Sequence, residues 1–307
     1  MSVFFSVIIP TYNRAHLIDE TISHILIQTF KDFELIIIDD GSTDNTNEII
    51  SCIDDSRIIY YKNLTNIERS ASRNKGVELS KGKFIAFCDS DDLWKHNHLE
   101  LLYQEIQNQK EAEGLYFTGM IWNFPDRKQE VIFPKREQLS KLEYVIKYQI
   151  CPTTTAFNSN ILKKEQFNIS LNINEDVELF SRILAKYNLF RIPIATVDVI
   201  IHESNTKKII QDYITPQINV MKMIFNNPTN KDYISKSFAK EKIKSLKHEL
   251  ILHLEKKNEK ISLIKELIKF IFLYPFDKNS KIKITLLIYS LPGGNLVKKT
   301  YRKFFKY

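Results

Sequence analysis

Short apolar runs alternate with segments of helical period over the first 120 residues of this chain. Residues 3–9, 33–39, 57–61 and 83–88 are apolar runs of strand length, each followed at once by polar residues. Between the first two, Leu17, Ile18, Ile22, Ile25 and Leu26 recur at three- and four-residue spacing, which predicts a helix over residues 15–28. Asp44 or Asn45 caps a helix running to about Cys52, Asn45 with Glu48 approximating a capping pair, and residues 70–80 and 99–110 read as the next two helices. Such alternation belongs to βα units around a largely parallel sheet, so the predicted class is α/β.

Residues 111–205 are mixed, strand-like at 114–122 and 191–201 and helical at 138–148 and 177–186. Everything after about Thr206 reads as helices and connectors. There, residues 261–272 place Ile264, Leu267, Ile268 and Ile271 on one face with Lys265 and Lys269 opposite. A further helix over residues 282–291 ends at the breaker Pro292-Gly293-Gly294. The expected division is an α/β unit over residues 1–206 and a basic amphipathic helical region over residues 207–307, the latter a membrane-interface or oligomer contact.

Composition changes this picture only in the second region. With 43% hydrophobic and 26% charged residues among 307, the chain is ordinary globular protein and can bury a core. Charge is placed unevenly: residues 1–206 carry 22 Lys and Arg against 29 Asp and Glu, whereas residues 207–307 carry 22 against 8. Such a tail suits an anionic partner, phospholipid headgroups or nucleic acid, or it is simply a Lys-rich helical surface. Cys52, Cys88 and Cys151 form no CxxC pair and read as reduced packing residues. The apolar start lacks a basic leader and runs straight into polar residues, and no stretch of 18 apolar residues is present to span a bilayer. A cytoplasmic location, or one on the membrane face of the cytoplasm, is expected.

In an open α/β sheet, ligands bind beyond the carboxyl ends of the strands, so polar residues after each apolar run are the candidates. Four groups qualify: Pro10-Thr11-Tyr12-Asn13-Arg14, Asp39-Asp40-Gly41-Ser42-Thr43-Asp44, Ser72-Arg73-Asn74 and Asp89-Ser90-Asp91-Asp92. Asp89 and Asp91, one residue apart on an extended turn, point to the same side and suit a hard divalent cation with open positions for diphosphate oxygens. Taken alone, that turn is equally an Asp-rich cap. Glu175, Asp176 and Glu178 taken alone are N-terminal helix acids favoured by the macrodipole. A nicotinamide dehydrogenase or a sugar nucleotidyltransferase would need a Gly-rich loop after the first strand, and none of the seven glycines is there. A phosphatase of the haloacid dehalogenase type would want Thr or Val where Leu93 stands.

The ordered set "SVIIPTYNR", "QTFKDFELIIIDDGSTDNT", "SASRNKG", "GKFIAFCDSDDLW" and "NEDVELFSRI", within residues 3–205, closely resembles the family 2 glycosyltransferases of the GT-A fold. The resemblance implies a nucleotide-sugar-binding fold with a mainly parallel central sheet followed by a C-terminal helical region. It also implies an inverting transfer from a UDP-linked sugar to an acceptor hydroxyl of a growing bacterial surface glycan. Pro10, Thr11 and Tyr12 match the loop lining the uridine pocket. Asp40 matches the carboxylate that accepts a hydrogen bond from the base, with Asp39 the neighbouring candidate, and Arg73 matches an arginine near the nucleotide. Asp89, Ser90 and Asp91 match the DxD motif, in which Asp91 is the direct ligand of Mg²⁺ or Mn²⁺ and Asp89 contacts ribose or coordinates through water. Asp176 matches the catalytic base, and His202 resembles a histidine that in some members approaches the metal or diphosphate.

The implied partners are the nucleotide sugar and a glycan or lipid-linked glycan acceptor; the basic tail adds an anionic membrane surface as an expected partner, with no nucleic acid. The implied location is cytoplasmic, or peripheral on the inner face of the cytoplasmic membrane. Two features depart from the family pattern: His96 stands where proline is usual, and "KKEQFNISLNINED" is shorter than the corresponding acceptor-side stretch, near Cys151-Pro152-Thr153-Thr154-Thr155. Trp94 either walls the sugar pocket or packs, Glu178 reads as a solvated or capping acid, and Arg182 as a structural ion pair. The alternative is a catalytically silent scaffold or nucleotide-sugar-binding partner of the same fold, against which the intact DxD and Asp176 argue.

Overall fold

Two seven-residue strands, buried almost throughout, form the heart of the sheet: β1 (Phe5–Thr11) and β2 (Phe33–Asp39). Near-continuous apolar sequence is what a parallel strand covered on both faces requires. The computed structural model describes residues 3–201, 213–257 and 259–274. His202 and the helix expected over residues 282–291 lie outside the described residues.

From β1 the chain continues through α1 (Ile18–Leu26), β2, α2 (Thr46–Ser51), β3 (Ile58–Lys62), α3 (Glu68–Leu79), β4 (Phe84–Phe87), β5 (Asp92–Trp94) and α4 (His98–Asn108). It then forms β6 (Gly114–Asn123), β7 (Lys128–Val131), α5 (Lys141–Tyr148), β8 (Thr155–Asn158), α6 (Ser159–Lys164), α7 (Glu175–Leu184) and β9 (Asn188–Ile200). The strands order as β3-β2-β1-β4-β8-β6-β9-β5, with β7 added to β6. The β3-β2-β1-β4 half is parallel, while β8 runs antiparallel between β4 and β6. Pairing of Thr11 with Asp39 and of Asp39 with Lys62 ends β1, β2 and β3 at one edge of the sheet. The polar motifs therefore meet there.

Helix α3 packs on β1 and β2. Its Gly76 permits the approach: a Cβ there would lie 2.4 Å from Cγ2 of Ile8. Strands β5, β7 and β8 were not legible as elements in the sequence. Each has three or four residues and takes its conformation from its partners, β9, β6 and the β4–β6 pair.

The chain divides into two compact units, residues 1–211 with 226–234, and residues 212–225 with 235–307. The second unit contains α8 (Ile214–Asn226), α9 (Lys236–Lys256) and α10 (Lys260–Leu273), of which α9 and α10 pack against each other. Leu263, Leu267 and Phe270 of α10 are buried, and Phe270 faces His248 of α9. Of the apolar face read from the sequence, Leu267 is buried in this packing, Ile264 and Ile271 are half-buried and Ile268 is 53% exposed. The stripe with the larger Phe270 ring is the one that turns inward. No helix among the described residues is long and apolar enough to cross a membrane.

Candidate active site

The loops that follow β1 and β2 are stitched to each other. Asn13 adopts a left-handed backbone (φ 52°), its N–H donates to Ser42 Oγ at 2.9 Å, and its Oδ1 accepts from the Thr43 N–H at 2.9 Å. Arg14 N–H donates to Thr46 Oγ1 and Ala15 N–H to Asp44 Oδ2, both at 3.1 Å. Most of the Ser42-to-Thr46 run thus holds the first loop in shape. Gly41 turns the chain at φ 79°, where a Cβ would meet the Thr65 carbonyl carbon at 2.9 Å.

Asp39 and Asp40 face different surroundings. Asp39 is fully buried, with Oδ1 accepting from Ser42 N–H at 2.8 Å and Oδ2 from the Tyr60 hydroxyl at 2.6 Å, so it closes the turn behind the cleft. Burial and Asp39 together push the Tyr60 phenol well above its ordinary range. Asp40 lines the cleft, with Oδ1 accepting from Asn63 Nδ2 and Ile67 N–H, both at 2.9 Å.

The cleft has a volume of about 470 Å³. Pro10 and Thr11 at the end of β1 and Tyr12 after it enter the cleft, Asn66 precedes α3, Arg69, Ser72 and Arg73 come from the first half of α3, and Asp89, Ser90 and Asp91 follow β4. Eight of the expected contacts therefore come together: Pro10, Thr11, Tyr12, Asp40, Arg73, Asp89, Ser90 and Asp91. Three lining residues each keep a buried polar atom without a hydrogen-bond partner among the described residues: Thr11 Oγ1, Arg14 Nε and Arg73 Nε. Buried donors without a hydrogen bond cost free energy, so each would gain from an acceptor placed against it.

Arg73 is the junction of the site. Its side chain is only 2% exposed, with Nη2 donating to Asp89 Oδ1 at 2.7 Å and Nη1 to Glu175 Oε1 at 3.0 Å. The guanidinium also lies 5.3 Å from the Phe167 ring centroid. A second arginine one helical turn earlier, Arg69, brings its Nε to 3.6 Å from the same Glu175 oxygen. Neighbouring α3 residues secure the segment leading to α7: Asn74 exchanges two 2.9 Å hydrogen bonds with the Phe167 backbone, and Ser70 Oγ donates to Leu171 O at 3.1 Å. The short acceptor-side stretch is thereby tied to the same helix that lines the cleft.

Asp176, the next residue after Glu175, is half-buried and does not line the cleft. Its Oδ1 accepts from the Val177 N–H at 2.7 Å. Burial, and then the neighbouring Glu175, push its carboxyl up to about 6; the Val177 hydrogen bond and the charges of Arg73 and Arg69 oppose the rise. A carboxylate poised near neutrality is a stronger base than an ordinary aspartate and still ionised at pH 7.

Asp89 and Asp91 present hard oxygen donors at the cleft wall, and Arg14 Nε stands 3.8 Å from Asp91 Oδ2. Among the described residues no group of three or more His, Cys, Asp or Glu side chains is arranged to hold a metal. Two carboxylates completed by phosphate and water are nonetheless an ordinary Mg²⁺ donor set, so the residues fit such an ion. Asp92 turns inward instead and is buried, and burial beside Asp89 and Asp91 raises its carboxyl well above the usual range.

Other expectations resolve into packing. Trp94 is fully buried, donates to Thr153 O at 3.0 Å and packs on His98, so it does not wall the cleft. Glu178 is neither solvated nor a cap: it is buried and chelates Arg182 through bonds of 2.7 and 3.0 Å, while Arg182 also reaches Glu165. Sequence reasoning missed Arg69 and Asn66 and took Glu175 for a bland helix acid. The signal available was Arg69 four residues before Arg73, on the same face of a polar helix.

The sequence model of the family described as "Glycosyl transferase family 2" matches residues 6–164, just over half of the chain. Glycosyltransferase GlyG of Streptococcus pneumoniae is 36% identical over 128 residues, covering 41% of this chain and 42% of that protein. An Escherichia coli protein named UDP-Glc:alpha-D-GlcNAc-diphosphoundecaprenol beta-1,3-glucosyltransferase WfaP is 47% identical over 116 residues, 37% of this chain and 43% of its own. The match thus spans less than half the length of either relative. Among solved structures, S. aureus TarS 1-349 in complex with UDP-GlcNAc superposes with a TM-score of 0.66 at 20% identity, over 99% of this chain and 93% of TarS 1-349, which shows the shared GT-A fold. With Pro10, Thr11, Tyr12, Asp40, Arg73, Asp89, Ser90 and Asp91 gathered on one cleft and the family match running across them, the chain belongs to glycosyl transferase family 2.

Proposed function

We propose that this enzyme transfers a sugar from a UDP-linked donor to a hydroxyl of a lipid-linked glycan acceptor, in one inverting displacement with Asp176 as general base, during assembly of a bacterial surface glycan. The observation that carries the reading is the arginine junction. One buried guanidinium binds both Asp89 in the cleft and Glu175, the residue preceding a carboxylate raised to about 6.

Pro10, Thr11 and Tyr12 hold the uridine, and Asp40, steadied through Oδ1, accepts the N–H of the base. Arg14 and Arg73 supply the N–H groups that lack a hydrogen bond to the diphosphate side of the cleft. Asp176 takes the proton of the acceptor hydroxyl as that oxygen bonds to the anomeric carbon. The bond from that carbon to the diphosphate breaks in the same step, and its electron pair leaves with UDP. Attack and departure on opposite faces invert the centre without a covalent sugar on the protein. Asp91, with Asp89, would hold Mg²⁺ or Mn²⁺, which when bound supplies positive charge against the leaving diphosphate.

The relatives support the substrate classes. WfaP and its E. coli counterpart WfgD carry names that give UDP-glucose as donor, a diphosphoundecaprenol-linked acceptor and a β-1,3 product. UDP-glucose is an α-glycoside, so a β product is the outcome of inversion. The test is to incubate the protein with UDP-glucose or UDP-N-acetylglucosamine, Mn²⁺ and a polyprenyl-diphosphate sugar, and to read the new anomeric centre by NMR. A β linkage is expected; an α linkage, or a sugar covalently held on the protein, would overturn inversion.

A further inference from the structure

We infer that the solvent face of α10 is a docking surface for an anionic phospholipid bilayer. The inference stands on the helical unit alone and not on the transfer chemistry. Helix α10 has two apolar sides. One, Leu263, Leu267 and Phe270, is at most 5% exposed and is accounted for by packing in the unit. The other is not: Ile261 is 74%, Ile268 53% and Phe272 85% exposed. At seven- and four-residue spacing these three fall within about 40° of one another around the helix, a single stripe along its length. Lys265 and Lys269 are exposed beside it, the latter paired with Glu266, and the half-exposed Leu273 widens it.

Charge decides the occupant. A second copy of the chain would bring the same basic region, with 22 Lys and Arg against 8 Asp and Glu over residues 207–307. The chain's own segment 275–307 carries eight Lys and Arg against one acid, so it too has the same sign. Nucleic acid is complementary in charge but offers no apolar layer for two isoleucines and a phenylalanine. An anionic bilayer offers both, with headgroups for the lysines and an acyl boundary in which a shallowly lying amphipathic helix buries its stripe. A surface of this kind would bring the enzyme to the plane in which lipid-linked molecules reside.

The experiment is flotation of the full-length protein with vesicles of phosphatidylcholine alone and with about one third phosphatidylglycerol, at low and high salt. Binding to the anionic vesicles at low salt and none to the neutral ones is expected. The triple variant Ile261→Ser, Ile268→Ser, Phe272→Ser should bind about 100-fold more weakly, because the stripe no longer leaves water on binding. Lys265→Gln with Lys269→Gln should weaken binding on the order of 10-fold at low salt and less at high salt. All five residues are exposed, so circular dichroism and UDP affinity should match the parent protein and separate lost docking from lost folding. The inference fails if the parent protein does not float, or if the triple variant floats equally well. It fails also if the parent is a dimer that the triple substitution converts to monomer without changing flotation, which would make the stripe a contact between copies.

Discussion

Arg73 Nη1 lies 3.0 Å from Glu175 Oε1, joining positions 102 residues apart. Because Nη2 of the same group holds Asp89 at 2.7 Å, one side chain fixes the distance between the cleft wall and the start of α7. A point charge cannot reproduce that fork, which needs two N–H groups at a set angle.

Replacing Arg73 by methionine should leave Asp89 without that partner and Glu175 with the looser Arg69 contact at 3.6 Å, and cost about 3 kcal/mol, the low end of the range for removing one partner of a buried ion pair. A large fall in Tm checks this. Arg73→Lys keeps the charge and should fold, yet transfer should drop sharply while UDP affinity, read by calorimetry, falls less. Parent-like transfer in Arg73→Lys would show that the two walls do not need the guanidinium to align them.

Gly76→Ala should destabilise the protein by about 1–3 kcal/mol, the usual cost of overpacking a core. The new methyl would lie 2.4 Å from Ile8 Cγ2, on a central strand that has no room to retreat. Pairing it with Ile8→Val should recover part of the loss. Equal melting temperatures for Gly76→Ala and the parent would mean that α3 is free to shift away from β1.

The strands and the cleft motifs were legible because burial on both faces leaves almost unbroken apolar runs, and polar residues at their ends have nowhere to go but the sheet edge. Asp89 and Asp91 could be read in this way, as could Asp40. Asp39 could not be told from Asp40, since the difference between them lies in Tyr60 and Ser42, which approach only in the folded chain. Trp94 left two readings open for the same reason: its indole partner is Thr153 O, 59 residues away. The role of Glu175 was hidden because an acid in the first turn of a helix is common. Only the arrival of Arg73 and Arg69 from α3 distinguishes it. The sequence shows one apolar face on α10, whereas the folded helix has two, because Phe270 pairs with His248 of α9 only once the two helices pack.

Arg14 stands 3.8 Å from Asp91, in the position of an internal counter-ion. With Asp91 as the proposed metal ligand, the guanidinium and a divalent cation compete for one carboxylate in the free protein. Arg14→Gln should therefore tighten Mn²⁺ binding several-fold in the absence of nucleotide and weaken UDP binding about 10-fold, a charged hydrogen bond being worth roughly 1.5–3 kcal/mol. Arg14→Lys should restore much of the UDP affinity. Asp91→Asn should abolish the Mn²⁺ dependence of UDP binding. Calorimetry with the metal alone, UDP alone and both together reads all three, and unchanged Mn²⁺ affinity in Arg14→Gln would separate Arg14 from the metal site.

Asp176 gives the sharpest test, because activity and stability should move in opposite directions. Burial and Glu175 raise its carboxyl from 3.8 to about 6. The base must be ionised to accept the acceptor's proton, so kcat/KM should be level above pH 7 and fall about tenfold per pH unit below 6. Its linkage to stability has the opposite sign to that of a salt-bridged carboxylate: the folded state holds the proton more tightly than the unfolded one. Ionisation therefore costs stability, fully above pH 6 and not at all below the ordinary aspartate value. Asp176→Asn removes that cost together with the base. Transfer should fall by about 10²–10⁴, while Tm rises at pH 8 and matches the parent near pH 4. UDP affinity should hardly change, since Asp176 does not line the cleft. Retained transfer would take Asp176 out of the mechanism, and an equal loss of UDP binding would make it a structural support of the donor site.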